Sequence, residues 1–202
     1  MAVLFTFWGY PVTVIELCAV IMSVLAIGLG IRGTRWTWPL YFLASLLYGW
    51  LFLGFTLYAS ATMQLIFMAA AIWGWFSWGR EGVRAPSRLS AAARSGVALG
   101  VLILWAVTAP LLQAIGGAAT WGDAFMLVGS LAAQLLMVLQ KKETWPTWMA
   151  VNTVGAVLYA SQGLYFTSLF YVVLILMAVS GWRAWSARAS IGQSAAPVPA
   201  HG

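Results

Sequence analysis

Thr144-Trp145-Pro146-Thr147-Trp148-Met149-Ala150-Val151-Asn152 has a counterpart 107 positions earlier, Thr37-Trp38-Pro39-Leu40-Tyr41-Phe42-Leu43-Ala44-Ser45. The same offset lays Glu16 on Asp123, Ser23 on Ser130, Leu57-Tyr58 on Leu164-Tyr165, and Gly74-Trp75 with Trp78 on Gly181-Trp182 with Trp185. Residues 11–80 hold six Trp, residues 118–187 hold five, and three of them coincide. Chance over that length gives about 0.4 coincidences, so the chain reads as an internal duplication. Two of its four acidic residues also pair at this offset.

Composition puts the repeat in lipid. The 202 residues are 63% hydrophobic and 7% charged, with a mean hydropathy of +0.92. A soluble core of this size cannot bury so much apolar surface, whereas runs of roughly 20 apolar residues cross a bilayer as helices. Seven such runs are expected, near 11–30, 36–56, 59–79, 96–115, 119–139, 145–163 and 167–186. The fold class is therefore all-α integral membrane. Two three-helix repeats, 11–80 and 118–187, flank a basic loop and an unduplicated linker helix within 81–117, and 188–202 is expected to be a disordered tail. This 3-1-3 order has a consequence for symmetry. One helix between two three-helix units brings the chain back to its starting face, so the repeats are parallel, as in carriers with an axis along the membrane normal.

The apolar start lacks a basic region and a small-residue cleavage site, so it does not read as a removable signal peptide. Positive charge sets the orientation. Arg32, Arg35, Arg80, Arg84, Arg88, Arg94, Lys141, Lys142, Arg183 and Arg188 all fall on one side of the seven runs, which is the cytoplasmic side, placing the N-terminus outside and the C-terminus inside. This pattern and attraction to anionic lipid account for the net charge of +6, so no nucleic-acid partner is implied.

Catalytic groups are scarce. The single histidine, His201, lies in the tail and the single cysteine, Cys18, lies in the first run, which argues against a Ser-His protease, a metal centre and a disulfide. A retinal protein needs a lysine in its last helix, and there is none. No cofactor is implied and the chain is not read as an enzyme. Glu16 and Asp123 sit near the start of helices one and five, where a carboxylate suits the helix dipole; gating or scaffold roles, with Tyr58, are the alternative. Ser23, Ser45, Ser130, Gln134 and Asn152 fall near the middle of their helices, and Gln64 and Gln162 about a turn from the outer face. Buried amides in lipid need partners, so these should bond between helices or face a cavity. Trp145, Trp148 and Asn152 are spaced i, i+3, i+7 and share one face. Aromatic rings with amides and no charge suit a flat, water-soluble ring compound, and a cationic ring gains further from indole faces. Trp73, Trp75, Trp78, Trp182 and Trp185 read as an interfacial belt.

These residues resemble the Pnu family of bacterial vitamin transporters. The resemblance runs from about Glu16 to Trp185 and rests on Trp145-x-x-Trp148-x-x-x-Asn152, on Gln162-Gly163-x-Tyr165-x-x-Ser168, and on Leu57-Tyr58-Ala59-Ser60 with Gln64 and Ile72-Trp73-Gly74-Trp75. It implies a full-length SWEET-like fold and facilitated diffusion of an uncharged or cationic vitamin, most simply nicotinamide riboside, with thiamine or riboflavin as alternatives. It also implies trapping by a cytoplasmic kinase and binding roles for Trp145, Trp148, Asn152, Gln64, Gln162 and Tyr165. The expected partners are thus the vitamin, the bilayer and that kinase, and a homo-oligomer is compatible with them. The first repeat carries Tyr41, Ser45 and Phe55 where the second has Trp148, Asn152 and Gln162, so recognition should fall to the second half. The two halves would rock about a site near the bilayer midplane. Two rivals are a sugar facilitator of the half-transporter SWEET type and a non-transporting receptor or assembly subunit that docks partners on Arg80–Arg94.

Overall fold

The computed structural model describes residues 3–7, 10–54, 58–83, 85–114, 120–161, 163 and 165–194. Its order is a hairpin, β1 (Val3–Phe7) and β2 (Tyr10–Thr13), then α1 (Val14–Ile31), α2 (Thr37–Gly54), α3 (Tyr58–Ser77), α4 (Ala91–Ala114), α5 (Thr120–Val138), α6 (Thr144–Ser161) and α7 (Tyr165–Ser194). Among the described residues, five helices are long and apolar enough to cross a membrane, all but α3 and α6. In α6 the shortfall comes from the same Trp, Thr and Asn residues that attracted attention in the sequence.

Expectations at both ends of the chain need correction. The first run was expected to be helical from residue 11, but an antiparallel hairpin pairing Phe7 with Tyr10 and Val3 with Thr13 precedes the helix. The segment is rich in Val, Phe, Tyr and Thr, and Thr13 then caps α1 by accepting from the Glu16 amide at 3.2 Å. At the other end α7 continues to Ser194, past the start of the expected tail, because Arg183–Ala189 is a helix-forming stretch without Gly or Pro. Gly116-Gly117, Phe55, Gln162, Arg84 and His201 lie outside the described residues.

The chain divides into two compact units, Met1–Val83 and Arg84–Gly202. In the first, α2 packs on both α1 and α3; in the second, α4, α5, α6 and α7 pack in chain order. Each unit contains the same joint. Helix α1 ends with Gly33 at φ 71°, its amide donating to the Gly30 carbonyl while that of Thr34 donates to Leu29. Helix α5 ends with Gln140 at φ 54°, with amide bonds from Gln140 to Met137 and from Lys141 to Leu136. These are Schellman closures, and 107 residues separate every partner. The next helix is then tied back through Thr37 Oγ1 to the Ala26 carbonyl at 2.7 Å and Thr144 Oγ1 to the Ala133 carbonyl at 2.8 Å.

The paired tryptophans have the same job in both units. Trp38 lies edge-on to Trp78 with centroids 5.0 Å apart, and Trp145 lies edge-on to Trp185 at 5.5 Å. A Cβ on Gly74 would come within 2.2 Å of the Trp38 ring, and one on Gly181 within 2.4 Å of the Trp145 ring. Small residues thus let an indole rest on a helix backbone, the usual device where lipid removes the hydrophobic drive between helices. Arg35 lies 3.5 Å from the centroid of Trp75, and Lys142 lies 4.7 Å from that of Trp182. Of the expected aromatic belt, Trp78 and Trp185 are therefore excluded: both are buried in this joint. Trp73 is exposed.

In each unit a further segment docks on the turn of this joint, the Val83 amide donating to the Gly33 carbonyl at 2.7 Å and the Ser87 amide to the Gln140 carbonyl at 3.0 Å, and the second unit reinforces this with a side-chain clamp. Glu143 Oε1 accepts from Arg94 Nε at 2.9 Å and from the Leu89 amide at 3.2 Å, while Lys141 Nζ bonds Ser87 Oγ at 2.8 Å. The segment before α4 is thereby fastened to the α5–α6 turn. Position 36, where the first repeat would carry the acid, is Trp. Glu143→Ala should lower stability by about 1–2 kcal/mol, less than a fully buried pair because Arg94 is over one-third exposed. Thermal unfolding in detergent measures this, with Arg88→Ala as the comparison that should change little.

Candidate functional site

The α5–α6 interface is tight and antiparallel. Thr144 meets Ala133, and a Cβ on Gly129 would come within 2.5 Å of Val151, on Gly155 within 3.2 Å of Met126, and on Gly122 within 3.2 Å of Leu158. Helix α7 covers the next face of α6 through Trp145 against Gly181, Tyr171 against Gly155, and Ser168 Oγ bonded to the Ala156 carbonyl at 2.8 Å.

Within this frame the Trp-x-x-Trp-x-x-x-Asn run divides by role. Trp145 is 2% exposed and fills the joint with Gly181 and Trp185, as Trp38 does in the first unit, with its Nε1 unpaired among the described residues. Trp148, one turn on, is half-buried and makes no ring pair or hydrogen bond among the described residues, whereas its counterpart Tyr41 leans on Trp38 with centroids 6.0 Å apart. Asn152 follows on the same face, 6% exposed and without a side-chain hydrogen bond among the described residues. A buried primary amide with two donors and an acceptor unused is a costly group to keep in a lipid-embedded helix. A half-buried indole and a free amide four residues apart are the elements that bind a flat polar solute.

The remaining candidates are scattered. Gln64 on α3 of the first unit is 7% exposed, rests against Gly49 of α2, and has no side-chain hydrogen bond among the described residues. Tyr165 begins α7 and is 70% exposed, and it makes no hydrogen bond or ring pair among the described residues. Gln162 and the Tyr58 side chain lie outside the described residues. Glu16 and Asp123 each occupy the first turn of a helix, where the dipole favours a carboxylate.

The sequence leaves Ser130 and Gln134 open between interhelical bonds and a cavity. Both are buried and neither makes a side-chain hydrogen bond among the described residues. Ser23, the partner of Ser130 in the repeat, instead donates to its own Ala19 carbonyl at 2.9 Å. The useful signal was again divergence between the halves: Gln134 stands where the first repeat has Ile27. Tyr159, seven residues beyond Asn152, adds a ring paired with Tyr171 at 5.2 Å.

Apolar helices of spanning length and a buried, uncharged polar face define a multi-pass membrane protein of the carrier class. The chain belongs to the nicotinamide mononucleotide transporter family, the PnuC-type transporters, whose family model matches residues 13–187. It is 30% identical over 207 residues to the nicotinamide riboside transporter PnuC of Escherichia coli (strain K12), covering 88% of this chain and 87% of that one. It is also 30% identical over 173 residues to the riboflavin/roseoflavin transporter RibM of Streptomyces davaonensis, covering 82% of this chain and 81% of that one. The fold is similar to that in the crystal structure of the vitamin B3 transporter PnuC, with a TM-score of 0.70 at 22% identity over 88% of this chain and 82% of that one.

Proposed function

We propose that this chain carries nicotinamide riboside across a bacterial inner membrane by facilitated diffusion, with its direction set by phosphorylation of the solute inside the cell. The observation that supports this most is the pairing of unpartnered Asn152 with half-buried Trp148 on one face of α6. The pyridinium ring suits the indole, and the ribose and carboxamide suit neutral amides. Charge favours the nucleoside over the nucleotide. A phosphate needs cationic partners, and α5 and α6 carry no Lys or Arg within Thr120–Val138 or Thr144–Ser161.

The seven helices fit the 3-1-3 order of a full-length SWEET-type carrier, with the N-terminus outside and the C-terminus in the cytoplasm. Support for this comes from the parity of the spans and from the placement of all ten basic residues at one set of connections. Similarity to RibM favours riboflavin as the second reading. Its larger, uncharged ring would gain less from an indole than a cationic one does.

Helices without a membrane-central acid or base favour uniport. Uptake of labelled nicotinamide riboside into proteoliposomes should therefore continue after both proton and sodium gradients are collapsed. A strict requirement for either gradient would overturn uniport, and absence of uptake under all conditions would overturn the function.

A further inference from the structure

We infer that Gln134, with Ser130 beside it on α5, completes the polar side of the substrate site opposite Asn152 and reads the sugar hydroxyls of the nucleoside. The inference rests on the substrate reading above and deepens it. Three buried polar side chains lie within the α5–α6 pair, Ser130 at 9%, Gln134 at 5% and Asn152 at 6% exposure, and none makes a side-chain hydrogen bond among the described residues. An interhelical bond would explain such residues, and none is formed among the described residues.

Helix geometry turns the three to one side. Gly129 on α5 touches Val151 on α6, and Ser130 and Asn152 are the residues that follow each. Ala133 meets Thr144, Gln134 follows the first, and Trp148 stands one turn beyond the second. A step of one residue is a rotation of about 100°. Because the helices are antiparallel, the same rotation from a shared contact line carries residues of both helices to the same side. From the Gly129–Val151 contact, Ser130 therefore lies near the level of Asn152, and Gln134, four residues on, lies within about one turn of Trp148, four residues back.

The chemistry fits a diol better than other polar groups. Gln134 and Ser130 offer both donors and acceptors without charge, which matches neighbouring hydroxyls that must donate and accept in turn. An anion would call for a cation that these helices lack. Both amides are specific to the second repeat, where Gln134 and Asn152 replace Ile27 and Ser45. That shared divergence separates them from the duplicated scaffold.

The test compares binding of nicotinamide riboside with its 2′-deoxy and 3′-deoxy forms to purified wild-type protein and to Gln134→Leu. The wild type should lose at least tenfold in affinity when the hydroxyl that meets Gln134 is removed, since a site built around a hydroxyl leaves buried groups unpaired without it. Gln134→Leu should bind the riboside at least tenfold more weakly and no longer distinguish that deoxy form. Gln134→Asn, which keeps an amide in a shorter reach, should show the same loss of discrimination if the leucine variant does not fold. An unchanged Kd, or weaker binding with discrimination intact, would overturn the role of Gln134 alone. Failure of the wild type to bind the riboside would overturn the substrate reading and this inference with it.

Discussion

Gly181→Ala should destabilise this protein by about 1–3 kcal/mol, the usual range for forcing extra atoms into a packed interior. The new methyl would sit 2.4 Å from the Trp145 ring, and that ring has little room to retreat because Trp185 closes it from another side. Gly74→Ala should act alike in the first unit, where the Trp38 ring is 2.2 Å away and Trp78 stands in for Trp185. Gly96→Ala and Gly100→Ala on α4 are the controls, since nothing lies within 4 Å of either position and Ala is the better helix former. Thermal unfolding in detergent should separate the two classes. Equal stability for Gly181→Ala and Gly100→Ala would show that the indole does not rest on the helix as described.

Asn152→Ala should weaken nicotinamide riboside binding by about 1–3 kcal/mol, the range for removing one side of a buried polar contact. That corresponds to roughly five- to 150-fold in Kd. Folding should survive, because the amide makes no bond within the described chain that its loss would break. Ser45→Ala, at the equivalent position of the first repeat, should leave the Kd within twofold if the second half does the reading. Trp148→Ala should weaken binding as Asn152→Ala does, whereas Trp145→Ala should be felt first in stability, since its indole is the packed member of the joint. Equal losses from Ser45→Ala and Asn152→Ala would contradict a lopsided site.

The sequence made the duplication legible because its matches fall on residues with fixed geometric duties. Thr37 and Thr144 tie one helix to the last, Gly74 and Gly181 seat an indole, and Trp78 and Trp185 close it. Such positions tolerate few alternatives, so they survive in both halves. What the sequence concealed is equally physical. Trp145 and Trp148 look alike as letters, and only the neighbouring Gly181 decides that one packs while the other is left open. Trp78 and Trp185 read as belt residues because composition does not say which face of a helix end is covered. Arg94 reads in the sequence as part of a basic loop, and only the fold places Glu143 against it, 49 positions away. Ser130 and Gln134 were visible as polar residues in an apolar run, but whether they bond each other's helices or a solute depends on partners that only coordinates supply.

Thermal stabilisation of the purified protein by nicotinamide riboside, riboflavin and thiamine tests the substrate reading most directly. A ligand at 100 times its Kd stabilises the folded state by about 2.7 kcal/mol. Nicotinamide riboside should raise the melting temperature of the wild type most, with the shift lost in Asn152→Ala. A shift produced by riboflavin or thiamine and not by nicotinamide riboside, or one that persists undiminished in Asn152→Ala, would contradict it.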